Sequence, residues 1–78
     1  MYVGTDLASA PLNTSLVLRE SDAPDAARQR LSALGLRVGI RFSVLQKTAG
    51  GGRVLLVSGS RIALGADLLR RLRAEVAA

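Results

Sequence analysis

The sequence predicts a mainly β protein: a small barrel of about five short strands, with one helix after the first strand and a short helix near the C-terminus. Three observations predict it. Apolar segments of four to eight residues recur between turn residues. One clear 3.6-residue period runs over Asp25–Leu34. Glycines punctuate the chain between the apolar segments, as tight turns require. Closure into a barrel also protects an apolar strand such as Val54–Val57 from exposing an edge. An open α+β sheet is the competing arrangement.

Residues 1–14 mix small residues with Gly4 and Pro11 and hold no period, so they read as a flexible N-terminal arm; residues 15–78 read as the folded domain. Ser15–Glu20 is the first strand, carried by Leu16, Val17 and Leu18. Ser21-Asp22-Ala23-Pro24 is a turn, and Pro24 suits the first turn of a helix because its missing N–H is not needed there. In the helix that follows, Ala27, Leu31 and Leu34 share one face. Gly35 stops it in left-handed geometry, and Leu36 can fold back onto it. Gly39 reads as a turn or bulge.

From Val38 the period becomes two. Ile40, Phe42, Val44 and Gln46 fall on one side, and Arg41, Ser43, Leu45 and Lys47 on the other, as in a half-buried strand. Thr48–Arg53, with three consecutive glycines, is a hairpin loop. Val54–Ser58 is continuously apolar up to its last residue and reads as a strand covered on both sides. Gly59-Ser60 turns the chain into Arg61–Leu64, a fourth strand. Ala66–Leu72 reads as a helical turn or two, and Arg73–Val76 either adds a fifth strand or prolongs that helix.

Composition narrows the function. The 78 residues contain no cysteine and no histidine. Disulfides, thiolate chemistry, Cys/His zinc sites and histidine relays are excluded. The six carboxylates show no paired arrangement of the kind that general acid–base catalysis needs, and capping or arginine pairing accounts for them. The Glu20, Asp22 and Asp25 cluster lacks the spacing of a calcium loop, so no metal site and no cofactor are expected. Gly50–Gly52 is followed by Arg53 and a strand, not by the Lys-Ser/Thr and helix of a phosphate loop.

Eleven basic residues against six acidic give a net charge of +5, split into −3 over residues 1–27 and +8 over residues 28–78. Such an excess suits an anionic partner or internal pairing between the halves. Single-stranded nucleic acid is the alternative ligand, but it calls for aromatic stacking platforms, and Tyr2 and Phe42 are the only aromatics. A protein partner is the better fit. Leu34 and Leu36 at the helix exit, rimmed by Arg30, Arg37 and Arg41, form the candidate partner-binding set, with core packing as the competing role for both leucines. No basic leader opens the chain and no apolar run reaches the roughly 18 residues of a spanning helix. A cytoplasmic location is expected.

The run Ala27-Arg28-Gln29-Arg30-Leu31-Ser32-Ala33-Leu34-Gly35-Leu36-Arg37-Val38-Gly39 resembles the signature of FeoA-type ferrous iron transport proteins. Phe42–Lys47, the glycine-rich tip, Val54–Val57 and Ile62-Ala63-Leu64 follow at that family's spacing. The resemblance spans roughly residues 15–76. It implies an SH3-like barrel, also found at the C-terminus of DtxR-type repressors. It further implies a non-enzymatic cytosolic role beside the membrane Fe(II) transporter FeoB, whose cytosolic part is a GTPase domain. By position, Leu34, Gly35, Leu36 and Gly39 become the family's turn and latch, with Gly35 and Gly39 as structural turns. Gly65 stands where the family usually has Arg, Val38 where Pro often precedes the glycine, and Gly50–Arg53 where Gly-Asp-Pro is commoner. A GTPase-modulating variant of this role would use an arginine in trans, from Arg53 or Arg61.

Overall fold

In the hairpin at Ser58-Gly59, both turn residues take left-handed backbone, φ 50° and 81°. Two such residues make the type I′ turn whose twist matches that of the flanking strands. The computed structural model describes residues 4–77. Its elements are β1 (Thr5–Asp6), β2 (Leu16–Ser21), α1 (Asp25–Ala33), β3 (Arg41–Lys47), β4 (Arg53–Val57), β5 (Ser60–Leu64), α2 (Ala66–Leu69) and β6 (Leu72–Val76). A short 3-10 turn, Ala49–Gly51, joins β3 to β4.

All strand pairs are antiparallel, in the order β1-β6-β2-β3-β4-β5. Leu7, just after β1, and Ile62 and Leu64 of β5 belong to one core cluster although they lie at opposite ends of that order. The sheet must therefore wrap around its core. The extents of 29 × 26 × 23 Å agree, since a flat sheet is a slab about 10 Å thick. Among the described residues no ladder joins β1 to β5. The segment after β1 is tied instead to α2 and β6 by the Leu7 amide, which donates to the carbonyls of Leu69 and Leu72, both at 3.1 Å, and to β4 by Arg53 Nη1, which donates to Ala10 O at 2.6 Å. Closure comes from packing and these bonds, in a mainly β, SH3-like architecture.

Among the described residues the core is almost wholly aliphatic, with Phe42 its one aromatic. Leu7, Leu16, Leu55, Leu69, Leu72, Val44 and Val57 are completely buried. Each buried side chain of this size contributes roughly 1.5–3 kcal/mol relative to exposure. In a chain without disulfides, this burial carries the stability.

Several expectations are corrected. Of the supposed arm, Thr5–Asp6 is a strand on β6, Leu7 and Ala10 are core, and the Asn13 amide donates to Val44 O at 2.8 Å. Two isolated apolar residues in a polar, small-residue context gave no period to detect. Residues 1–3 of that arm, Tyr2 among them, lie outside the described residues. The strand read from Val38 onward, β3, starts at Arg41, because Arg37–Ile40 is a turn. A bulge at Leu45 shifts its register against β4, which puts Gln46 in solvent and not beside Phe42 and Val44. β4 is covered on one face only: Leu55 and Val57 are buried while Leu56 is 36% exposed. The second helix ends at Leu69, and the segment after it is strand β6, with Leu72 and Ala74 in the core.

Candidate partner-binding surface

The end of α1 is built by local sequence. Leu34 caps the helix and Gly35 follows at φ 97°. The Gly35 amide donates to Ser32 O and the Leu36 amide to Leu31 O, both at 2.9 Å. This is the Schellman arrangement, which satisfies the last carbonyls and sets residue C″ against residue C3. A second turn follows. Gly39, at φ 93°, sits third in Arg37–Ile40, with the Ile40 amide donating to Arg37 O at 3.1 Å. That φ marks a type II turn, which only glycine or asparagine adopts cheaply. Gly39 N–H to Leu18 O (2.7 Å) and Leu18 N–H to Ile40 O (3.1 Å) clamp the turn to β2.

These turns distribute the expected residues. Gly35 and Gly39 are the two structural turns. Leu34 is 47% exposed, not core: the chain reverses after it, and Leu36 takes the space beside Leu31. Leu36 is 2% exposed and belongs to the core, so it drops out of the surface set. Arg30 and Arg37 are exposed on either side of the turn. Arg41 lies apart from them on the outer face of the sheet, opposite Val17 of β2. The two regions adjoin, because a Cβ added to Gly35 would lie 3.5 Å from Ser58 Oγ, in the β4–β5 turn. Sequence reasoning missed Val38, which is 58% exposed between Arg37 and Gly39. Its place just before a turn glycine was the available signal.

Between α1 and the barrel lies a cleft of about 190 Å³ with a floor of Leu18, Leu31, Leu36 and Leu72 and a rim that includes Arg28, Arg37 and Val38. The Ser21 hydroxyl at this cleft is buried and has no hydrogen-bond partner.

The charges sort into two groups. Arg19 pairs with Glu75 (2.6 Å), Arg28 with Asp25, Arg70 with Asp67 (3.2 Å) and Arg71 with Asp22 (4.0 Å). Two of these pairs, Arg19–Glu75 and Arg71–Asp22, join the acidic N-terminal third to the basic remainder, and all four are exposed enough to add little stability. Among the described residues Arg30, Arg37, Arg41 and Arg61 have no carboxylate within pairing distance. Arg53 is different: it is 6% exposed and its Nη1 donates to Ala10 O at 2.6 Å. It is a structural residue and not an arginine offered in trans. Phe42 is 4% exposed and therefore no stacking platform. Among the described residues no three acidic side chains converge as metal ligands, and no helix is long and apolar enough to cross a membrane.

Comparison with solved structures places the same wrapped sheet in known proteins. A crystal structure of an iron uptake regulatory protein (FeoA) aligns with a TM-score of 0.80 at 23% identity, over 95% of this chain and 97% of that one. A solution structure of the FeoA protein from Chlorobium tepidum aligns at 0.86 and 20% identity, over 95% and 71%. A manganese-dependent transcriptional repressor aligns at 0.84 and 16% identity, over 99% of this chain but 44% of its own. At such identities these likenesses establish the fold. No curated protein sequence matches the chain. The sequence model of the FeoA domain matches residues 5–76 and so takes in every strand and both helices described above. By that match, the chain belongs to the FeoA domain family.

Proposed function

We propose that this chain is a non-enzymatic accessory or regulatory protein of ferrous iron uptake that docks, in the cytoplasm, on the cytosolic GTPase domain of a FeoB-type transporter. Membership of the FeoA family, an accessory domain family, implies a role in ferrous iron transport. The observation that carries the docking surface is the helix exit. There Leu34 and Val38 are exposed, Arg30 and Arg37 have no carboxylate partner among the described residues, and Arg37 and Val38 rim an apolar cleft. Aliphatic anchors within a guanidinium rim are the pattern of a protein interface: the apolar groups bury area, and the arginines select an acidic partner surface.

The test is calorimetric titration of the chain with a purified FeoB-type cytosolic domain. Saturable binding is expected, and the Arg37→Glu/Val38→Ser double variant should weaken it by about tenfold or more, as loss of interface anchors does. Absence of binding, or binding indifferent to the double variant, would overturn the reading.

A further inference from the structure

The outer face of β3 and β4 carries a second recognition feature. An open groove of about 480 Å³ runs over it, lined by Asn13, Thr14, Arg41, Ser43, Leu56 and Ser58 among others. The strand register fixes its layout. Ser43 of β3 faces Leu56 of β4, and Leu56 faces Arg61 of β5, so the three form one cross-strand row. Arg41 lies two residues before Ser43 and therefore on the same face. An exposed leucine thus sits between two arginines that have no carboxylate partner among the described residues. The acid nearest in register, Glu75, lies beyond Val17 and is held by Arg19 at 2.6 Å.

The groove's walls are fixed by tight backbone. Asn13 (φ 53°) and Ser58 (φ 50°) are the two non-glycine residues with left-handed backbone among those described, and both line this groove. The Asn13 amide is tied to Val44 O at 2.8 Å. Ser58 is held by the two-residue β4–β5 turn.

We propose that this groove binds an extended acidic segment of a partner protein. A carboxylate of the segment forks onto the Arg41 guanidinium, with the Ser43 and Ser58 hydroxyls as further donors. A neighbouring apolar side chain covers Leu56, and a second carboxylate meets Arg61. Charge selects this occupant. A second copy of the chain would bring a protein of net charge +5 arginine to arginine across a two-fold contact. A nucleic acid strand would find a leucine at the centre of the groove and no exposed aromatic among the described residues on which to stack its bases. The proposal does not require that the partner be a transporter.

The experiment uses three fluorescent probes against the whole chain. One is a heptapeptide with a central leucine and two aspartates on each side, the second replaces every aspartate by asparagine, and the third is a single-stranded oligothymidylate of matched charge. The acidic peptide should bind saturably, the amide version at least about tenfold more weakly, and Arg41→Gln should cost about tenfold, as loss of a charged fork does. Lys47→Gln, a cation removed from the opposite end of β3, should change affinity by less than about twofold. Amide shifts in an NMR titration should centre on residues 13–15, 41–43 and 56–61. Absence of saturable binding, equal binding of oligothymidylate, equal losses from the Arg41 and Lys47 variants, or shifts centred elsewhere would each overturn the groove. Concentration-dependent dimerisation abolished by Arg41→Gln would overturn it in favour of self-association. A FeoB-type domain that fails to bind while the acidic peptide succeeds removes the transporter reading and leaves the groove standing.

Discussion

The amide of Leu36 donates to the carbonyl of Leu31 across the glycine that ends α1, and both side chains enter the same aliphatic core. This contact ties the helix to the barrel, since Leu31 is the one buried residue of α1. Leu36→Ala should cost about 2–5 kcal/mol, and Leu36→Asp more, through cavity formation and an unpaired buried charge respectively. Leu34→Ser, on the exposed neighbour, should stay within about 0.5 kcal/mol. Urea melts of the three variants check the ranking. An undisturbed midpoint for Leu36→Asp would contradict the buried placement.

Val38 occupies the second position of the Arg37–Ile40 turn, where proline's fixed φ is favoured, and its amide makes no hydrogen bond among those described. Val38→Pro should therefore raise stability by about 0.4–1 kcal/mol by restricting the unfolded chain. The Tm should rise with no change in the circular dichroism spectrum. A fall would mean that Arg37 cannot adopt the extended backbone required before proline.

Gly52 is held by space and not by backbone angle. Its φ is −76°, open to any residue, but a Cβ there would come 2.5 Å from Thr48 Oγ1 and 3.0 Å from the Leu64 carbonyl oxygen. Thr48 can rotate away; the Leu64 carbonyl belongs to β5 and cannot. Gly52→Ala should cost about 1–3 kcal/mol by overpacking. Adding Thr48→Ala should recover part of that loss and not all of it, as a double-mutant cycle in denaturant would read.

Arg53 bridges β4 to the segment after β1 through Ala10 O. Arg53→Met keeps much of the side chain's bulk but leaves a carbonyl without its donor, at a cost of about 1–3 kcal/mol. Arg53→Lys should restore little, because the ammonium cannot reproduce the planar geometry of the guanidinium donors. Arg61→Ala, at an exposed position, should leave the melting curve unchanged within about 0.5 kcal/mol. Equal thermal shifts for Arg53 and Arg61 variants would contradict the separate roles.

Local chemistry made α1, its glycine stop, the Gly39 turn and the four strands β2 to β5 legible, because each is specified within a few adjacent residues. Leu7 and Ala10 were hidden because a single apolar residue among small ones has no periodicity; only β6 and α2, some 60 positions away, make Leu7 core. Gln46 and Leu56 misled for a related reason. A bulge is set by the partner strand, and an apolar side chain on a wrapped sheet faces outward wherever no second layer covers it.

By itself, the sequence determined that this chain has no cysteine or histidine chemistry to offer, that its strength is aliphatic burial, and that a helix stops at Leu34-Gly35. Tertiary structure alone decided which of two neighbouring leucines is core and which is surface, and that Arg53 is a strut while Arg41 and Arg61 have no carboxylate partner among the described residues. The reason is physical: capping and turn geometry depend on neighbours in the chain. Burial and charge pairing depend on what the wrapped sheet brings close from far along the sequence.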